Sequence, residues 1–348
     1  MELFINKYSS LLNDKTGIKS ILFEMGTQMN DAKETYQQEE SVITEFAYSI
    51  KKTGRIILLG MGASHFANKI FSFQLRKMGF FALALTASEF LYDPIPLTDE
   101  IVLLTSQSGE SIETIKCLKY LDKMNVYGIT LSRESIIGKK TRSIIASGGM
   151  EKAYAGTRSV TLTLAIMAYV SAKLGAFPIE RITEAMDFVQ QKLPEMEKAV
   201  KILHAKQSLV VTGRSLFSGL SHLFALGCQE LSGKANLCNE TGQLRHGPLE
   251  VLSSESALVV FRQSGELGTL AESFVAVKKK TGCALIVIDS SESTPLEGAV
   301  TIKCPIGNDI AATLAVMDTF QSLMISYACG KNDYTGIPKY SSKITKKE

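Results

Sequence analysis

Polar residues that could bind an anion gather in the segment SQSGES, which follows the apolar run IVLL at 101–104. The segment supplies four uncharged hydrogen-bond donors, namely Ser106, Gln107, Ser108 and Ser111. We expect these residues to crowd the first turn of the next helix, where serine is a preferred cap and Glu110 would complete a capping box. Capping needs one serine, whereas this set together suits a phosphate dianion. Both explanations stay open at this point.

A second candidate anion site is the glycine-rich turn GMGASH at 60–65, between a predicted strand and a predicted helix. Backbone N–H groups at a helix N-terminus favour an anion, and Ser64 adds a hydroxyl. His65 stands where a GxGxxG motif would have its third glycine, and the segment is not a GxxxxGK[ST] motif either. The turn therefore gives little support for a nucleotide site.

Glu230 and His246 are the candidates for acid–base chemistry. Glu230 lies late in the apolar helical segment SHLFALGCQEL, and His246 lies in the loop RHGPLE, where Gly247 and Pro248 fix a turn. A helical glutamate is usually a solvated surface residue, and a single loop histidine usually has no chemical role. The four histidines show no metal-ligand spacing, so the sequence predicts no metal and no other cofactor.

Short apolar runs must position these residues. They occur at 55–59, 81–87, 101–104 and 126–132, and they alternate with helical segments. Continuous apolar strands between helices predict a parallel sheet that is covered on both faces. We also predict one or two helices over 18–53, a loop over 89–100 because Pro94 and Pro96 break helices, and a helix over 111–124.

The pattern of apolar strands occurs twice in the sequence. SLVVTG at 208–213 resembles RIILLG at 55–60, and ALVVFRQSGE at 257–266 resembles IVLLTSQSGE at 101–110, at nearly the same offset. This predicts a duplication, with two α/β halves of one design. In the second copy Arg262 replaces Ser106 and Leu267 replaces Ser111, so we expect the phosphate site only in the first half.

Composition excludes several classes of protein. The 348 residues include 38 basic and 35 acidic ones, a balance that argues against nucleic-acid binding. Six cysteines without a CxxC pair, and an N-terminus without a signal-peptide pattern, predict reduced thiols and a cytoplasmic protein. The longest apolar stretch, 160–177, contains Lys173, two threonines and a serine, which indicates a buried core helix and no membrane span.

The paired halves, the GMGAS turn, SQSGES and ELSGKANLCNETGQLRHGP resemble the sugar isomerase (SIS) family, in particular the isomerase domain of glucosamine-6-phosphate synthase. The resemblance implies two tandem SIS-type, doubly wound α/β halves, each a mainly parallel sheet flanked by helices. The expected division is an N-terminal helical segment at 1–50, a first SIS domain at 51–177, a helical connector at 178–205, a second SIS domain at 206–332 and a tail at 333–348.

The resemblance also implies roles for individual residues. Glu230 and His246 match a catalytic pair of the family in their sixteen-residue spacing. The tail PKYSSKIT resembles the Pro-x-x-x-x-Lys-x-x-Thr tail of the synthase and supplies Lys343 five residues after Pro338, although Thr345 follows this lysine by two residues and not three. Glu230 would move a proton between C1 and C2, His246 would open the sugar ring, and Lys343 would meet the open-chain carbonyl. The residues implied to bind the 6-phosphate are Ser64, Ser106, Gln107, Ser108 and Ser111. The histidine serves the neighbouring subunit in the family, which implies a homodimer.

The chain departs from the synthase in three ways. It begins MELF with no cysteine nucleophile or glutaminase half, so we do not expect glutamine-dependent synthesis from it. Gly227 stands where the synthase has a lysine, three residues before its catalytic glutamate. The segment AYAGTRS at 153–159 corresponds to a substrate-lining stretch but has Tyr154 and Gly156 at changed positions.

These features leave three functions to weigh. The first is a phosphosugar isomerase and deaminase that converts an amino-sugar 6-phosphate, such as glucosamine-6-phosphate, to fructose-6-phosphate and ammonia. The second is a deglycase for a fructosamine 6-phosphate, because ETGQLRHGPLEVL also resembles SIS deglycases; Lys343 favours the first. The third is a non-catalytic regulator that binds a sugar phosphate. Residues 1–50 are not basic enough for a DNA-binding domain, and Glu230, His246 and Lys343 together argue against a silent protein.

Overall fold

The computed structural model describes residues 17–122 and 124–345, so the first sixteen residues of the predicted N-terminal segment and the last three of the tail lie outside it. The helices are α1 (Ile18–Thr53), α2 (Gly62–Lys77), α3 (Ala87–Tyr92), α4 (Ile112–Cys117), α5 (Ile136–Lys140), α6 (Arg158–Lys173), α7 (Glu180–Asp187), α8 (Leu193–Ala205), α9 (Leu216–Ser232), α10 (Thr241–Arg245), α11 (Glu266–Thr269), α12 (Ser273–Thr281), α13 (Ile310–Ala315) and α14 (Met317–Cys329). The strands are β1 (Arg55–Gly60), β2 (Phe81–Thr86), β3 (Ile101–Thr105), β4 (Asn125–Thr130), β5 (Arg142–Ile145), β6 (Ser208–Gly213), β7 (Leu237–Glu240), β8 (Ser256–Arg262), β9 (Ala284–Asp289) and β10 (Val300–Lys303). Short 3₁₀ helices follow α4, α10 and α11 at Leu118–Tyr120, Pro248–Val251 and Leu270–Glu272.

The strands form two five-stranded sheets, ordered β2-β1-β3-β4-β5 and β10-β9-β8-β6-β7. Every strand pair in both sheets is parallel. The central strands β3 and β8 are buried along their whole length, as their unbroken apolar runs require for a sheet covered on both faces. The predicted pair of doubly wound α/β halves is confirmed.

In each sheet the order of the strands reverses at the strand that comes first in the chain, which is β1 in the first sheet and β6 in the second. In the first sheet Gly60 pairs with Thr86 of β2 on one side and with Thr105 of β3 on the other. In the second sheet Gly213 pairs in the same way with Glu240 of β7 and Phe261 of β8. Ligands of open α/β sheets bind beyond the carboxyl ends of the strands at such a switch point. Both the GMGAS turn and the segment SQSGES begin at the switch point of the first sheet.

The described chain divides into two compact units. The first unit comprises residues 20–183 and 339–345, and the second comprises 17–19 and 184–338. The first unit therefore contains the first sheet together with the end of the chain. The five segment boundaries drawn from the sequence stay a prediction.

The apolar stretch that was predicted to be a core helix lies in α6 of the first unit over residues 160–173, and residues 174–177 follow the helix. Every residue of this helix from Arg158 to Ser171 is buried. The core-helix prediction is confirmed. No helix in the described ranges is long and apolar enough to cross a membrane.

Two local predictions were wrong in detail. Residues 89–92 are helical, because Thr86 and Glu89 form a capping box that starts α3 before the prolines are reached. The helix predicted over 111–124 ends at Cys117 and continues only as a 3₁₀ turn. The segment 178–205, predicted as a helical connector, contains two helices, α7 and α8, with 188–192 between them, and its role as a connector stays a prediction.

Candidate active site

The polar segment 106–111 is a loop, and α4 begins only at Ile112. The prediction that these residues form the first turn of a helix was therefore wrong. Ser111 occupies the N-cap position, but its side chain caps no backbone N–H. Glu110 forms no capping box, since its Oε1 accepts a hydrogen bond from the N–H of Ile136 at 3.0 Å. Capping does not explain this cluster of serines.

Backbone hydrogen bonds fix the loop to the next strand and helix. The N–H of Ser106 donates to Ile129 O at 3.1 Å, and the N–H of Leu131 donates to Gln107 O at 2.9 Å. Gly109 adopts a positive φ of 66°, and a Cβ there would lie 2.0 Å from Ser135 Oγ. Glycine is required at this position by both the backbone conformation and the close approach of α5.

The loop keeps several donors without a protein acceptor. Ser106 Oγ donates to Ser111 Oγ at 3.2 Å, so the two hydroxyls lie side by side. Within the described ranges, no group accepts a hydrogen bond from the backbone N–H of Gln107, Ser108 or Ser111. Three such N–H groups beside clustered hydroxyls are an arrangement that favours an anionic ligand.

Ser64 reaches the same end of the sheet from α2. A Cβ on Gly60 would lie 3.0 Å from Thr105 O and 3.2 Å from the carbonyl carbon of Ser64, so this glycine allows both backbones to approach. Thr105 Oγ1 donates to Asn68 Oδ1 at 2.6 Å in a buried contact that ties β3 to α2. The structure thus brings Ser64 and the polar segment together at the switch point. Asn68 was not identified from the sequence.

Two titratable groups adjoin this region, and the pKa of each is shifted. Burial lowers the pKa of His65, next to Ser64, which favours its uncharged form. Hydrogen bonds from Thr86 lower the pKa of Glu89 at the start of α3. The polar segment itself contains no lysine or arginine. An anion bound by this loop would be held by hydroxyls and backbone dipoles.

Lys343 lies in the same unit, on the last described stretch of the chain. Its amine donates to Glu151 Oε2 at 2.9 Å and to the carbonyl of Ala153. The N–H of Ile112, directly after the polar segment, donates to Thr345 O at 3.2 Å. Ser341 and Tyr154 are hydrogen-bonded through their hydroxyls. The tail therefore runs across the segment that contains Tyr154 and reaches the start of α4.

The stretch 153–159 also touches the polar segment. A Cβ on Gly156 would lie 3.3 Å from Gln107 Oε1, so the changed position noted in the sequence borders a predicted phosphate ligand. Glu151, just before this stretch, is buried and accepts hydrogen bonds from Thr157 and Ser159 as well as from Lys343. No sequence signal marked Glu151, because its partner Lys343 is 192 residues away.

Glu230 and His246 belong to the second unit. Glu230 is exposed in the last turn of α9, as predicted. His246 is exposed and lies directly after α10. Its backbone N–H donates to Gln243 O at 3.1 Å, and the next residue, Gly247, has a φ of 117°. Gly227 packs so closely against Met324 that a Cβ would lie 2.1 Å from its sulfur. A side chain at 227 would therefore displace Met324.

In the second copy of the polar segment, a buried arginine occupies the position of Ser106. Arg262 ends β8 with its side chain fully buried; its Nε donates to Gly268 O and its Nη1 to Thr294 O, both at 2.9 Å. Asp289, also fully buried, lies 3.6 Å from this guanidinium and 2.8 Å from the amine of Lys303. The guanidinium is thus bound by the protein itself. In the described ranges, no three His, Cys, Asp or Glu side chains are grouped as a metal site would require.

Comparison with known proteins identifies the family. The model of the SIS domain matches residues 49–172 and 201–329, which together are more than half of the chain. The chain therefore belongs to the SIS domain family. The two matched regions contain the two sheets, in agreement with the duplication read from the sequence.

Relatives of known name are similar over most of this chain. Glutamine–fructose-6-phosphate aminotransferase (isomerizing) of Haemophilus influenzae is 25% identical over 338 residues, covering 88% of this chain and 54% of the relative. The enzyme of the same name from Sulfurisphaera tokodaii is 26% identical over 72% of this chain and 42% of its own length. The chain spans about half the length of the curated relatives it matches.

Two solved structures share the fold. The C-terminal domain of glucosamine-fructose-6-phosphate aminotransferase from Francisella tularensis superposes with a TM-score of 0.77 at 19% identity, covering 90% of this chain and 96% of that one. Glucosamine-6-phosphate deaminase from Thermotoga maritima gives a TM-score of 0.73 at 22% identity, covering 93% and 99%. At these identities the likeness concerns the fold.

Proposed function

We propose that the protein is a phosphosugar isomerase and deaminase that converts glucosamine-6-phosphate, or a close amino-sugar 6-phosphate, to a ketose phosphate and ammonia. One observation carries most of the weight. The donors of the polar segment and the amine of Lys343 belong to one compact unit, and Ile112 joins the segment to the tail through Thr345. The family and the names of the relatives are consistent with this substrate class.

In this proposal the 6-phosphate binds at the switch point of the first sheet. The ligands are Ser64, Ser106, Gln107, Ser108 and Ser111. Their neutral groups donate hydrogen bonds that would stabilise the negative charge of the phosphate without a cation. They would hold the sugar by the end that does not react. Binding energy from that end orients C1 and C2 for the chemistry.

The chemistry at the reacting end of the sugar has four steps in this proposal. A hexose phosphate is mainly a closed ring, and His246 would move the protons at O5 and the anomeric oxygen that open it. Glu230 would then remove the C2 proton and return it at C1, which turns the 2-amino aldose into the 2-imine of the ketose. The amine of Lys343 would attack C2 and release ammonia, and water would hydrolyse the lysine imine to free the ketose phosphate.

We further propose that the enzyme works as a cytoplasmic homodimer, with His246 serving the site of the neighbouring subunit as the family resemblance implies. All six cysteines lie in the described ranges and none forms a disulfide there, in keeping with a reducing compartment. The proposal requires neither a metal nor another cofactor, neither a membrane nor a nucleic acid.

A deglycase acting on a fructosamine 6-phosphate is the second candidate. The observation that favours it is the segment ETGQLRHGPLEVL, which resembles deglycases of the SIS family. Lys343 favours the deaminase instead, because the deglycases that the chain resembles tend to lack this C-terminal lysine.

Turnover assays separate these functions. The purified protein is incubated with glucosamine-6-phosphate and, separately, with fructoselysine-6-phosphate, and hexose phosphate, ammonia and lysine are measured. Ammonia from the first substrate alone supports the proposal, whereas lysine from the second alone would overturn it in favour of the deglycase. Binding without turnover of either would favour the regulator. Lys343→Met should abolish ammonia release, and Lys152→Met, which removes an exposed lysine nearby, should not.

A further inference from the structure

Glu151 is a buried carboxylate whose two oxygens have different partners. Oε1 accepts hydrogen bonds from the N–H of Thr157 at 2.9 Å, from its hydroxyl at 3.2 Å and from the N–H of Ser159 at 3.4 Å. Oε2 accepts from Ser159 Oγ at 2.6 Å and from the amine of Lys343 at 2.9 Å. One oxygen thus orders the loop before α6, and the other reaches the tail.

The two side chains of the Glu151–Lys343 ion pair differ in burial. The Glu151 side chain is 0% exposed, whereas Lys343 is 28% exposed and can leave towards solvent. In the described part of the chain, Glu151 is the only carboxylate that pairs with Lys343. A buried carboxylate that loses its cation is strongly destabilised, so the docked tail stabilises Glu151 and Glu151 in turn holds the tail.

We propose that Glu151 is the positioning residue for Lys343: it docks the C-terminal tail so that the amine lies beside the stretch 153–156. The inference rests on the proposed function, in which Lys343 meets the substrate carbonyl. The same carboxylate orders Thr157, while Gly156 lies against Gln107 of the polar segment. Glu151 therefore connects the position of the amine to the loop that borders the phosphate donors.

Glu151→Gln tests this role with little disturbance. The amide keeps an oxygen for the donors of Thr157, and its NH₂ group can donate to Ser159 Oγ, but it repels the ammonium of Lys343. Glu100→Gln is the matched control, because Glu100 is another buried carboxylate of the first unit, is paired with Arg55, and contacts none of these residues.

Hydrogen exchange at the backbone N–H of Ile112 measures tail docking, because this N–H donates a hydrogen bond to Thr345 O in the tail. In Glu151→Gln we expect roughly tenfold faster exchange at Ile112 and kcat roughly 10- to 100-fold lower, with KM within about twofold, because only the reacting amine is displaced. Glu100→Gln should leave the exchange rate and both constants within about twofold of the wild type. Disorder of the loop would instead raise KM, because Gly156 borders Gln107.

A double variant completes the test. If Glu151 acts through Lys343, then Glu151→Gln does not speed Ile112 exchange further in the Lys343→Met background. Unchanged exchange at Ile112 in Glu151→Gln, or faster exchange in the double variant than in Lys343→Met, would overturn the proposal. Lys343→Met removes a partly exposed side chain and should speed Ile112 exchange by the same factor, so the test survives if Glu151→Gln fails to fold. The exchange measurement needs no turnover, so failure of the deaminase assay leaves it interpretable.

Discussion

At the carboxyl end of β3 the chain places Ser106, and at the corresponding end of β8 it places Arg262. The first position opens a loop whose N–H groups at Gln107, Ser108 and Ser111 lack acceptors in the described chain. The second is filled by a buried guanidinium bound to two carbonyls and facing Asp289. Equal topology therefore does not imply an equal site. In our account the first half binds the phosphate, and the second half uses the same position for stability and supplies Glu230 and His246.

The largest expected effect is that of His246→Ala, which should lower the rate of the reaction and leave sugar-phosphate binding nearly unchanged. His246→Ala should lower kcat on the closed-ring substrate by roughly 10²- to 10⁴-fold, as loss of a general acid–base group does. The affinity for hexose 6-phosphate, measured by calorimetry, should stay within about twofold because the first half is untouched. Wild-type rates in this variant would refute the role of His246.

Arg262→Met tests whether the second switch point is structural. The change removes the donors to Gly268 O and Thr294 O and leaves Asp289 with Lys303. We expect the free energy of unfolding to fall by about 3 kcal/mol, measured by urea denaturation. Affinity for hexose 6-phosphate in the folded variant should match the wild type; a loss of affinity with unchanged stability would reverse the assignment of the two halves.

The two corresponding glycines allow a matched comparison. Gly109 and Gly265 both have positive φ, at 66° and 80°. A Cβ on Gly109 would meet Ser135 Oγ at 2.0 Å, whereas on Gly265 the nearest atom is Asn308 Nδ2 at 3.6 Å. Gly265 has a ψ of −165°, a conformation nearly confined to glycine, so Gly265→Ala should cost about 1–3 kcal/mol from backbone strain alone. Gly109→Ala should cost more, because its Cβ also meets Ser135, and should abolish sugar-phosphate binding. Equal thermal denaturation and equal binding would contradict this difference.

The smallest effect concerns a single hydroxyl. Ser106→Ala should raise KM roughly 10-fold, because one hydrogen bond to a charged phosphate is lost, with little change in kcat. Ser264→Ala, in the second copy, is the control and should leave KM unchanged in the same steady-state assay. If both variants raise KM alike, the two loops are functionally equal.

The sequence predicted the strands well because buried parallel strands are continuous apolar runs, as in RIILL and IVLL. The sequence TASE at 86–89 is a capping-box pattern that marks the start of α3, whereas Pro94 and Pro96 predict a loop, and the prolines act only after the helix has ended. The polar segment was found by residue type, but its loop conformation depends on Gly109 and its contacts with β4 and α5. Glu151 could not be found, because its role depends on a partner at the far end of the chain.

The most direct test of the central claim is a calorimetric titration with fructose-6-phosphate, the product of the proposed reaction. We predict one binding site per chain, at least about tenfold weaker in Ser106→Ala and unchanged in Ser264→Ala. Two sites per chain, or wild-type affinity in Ser106→Ala, would contradict the account that only the first half binds the phosphate.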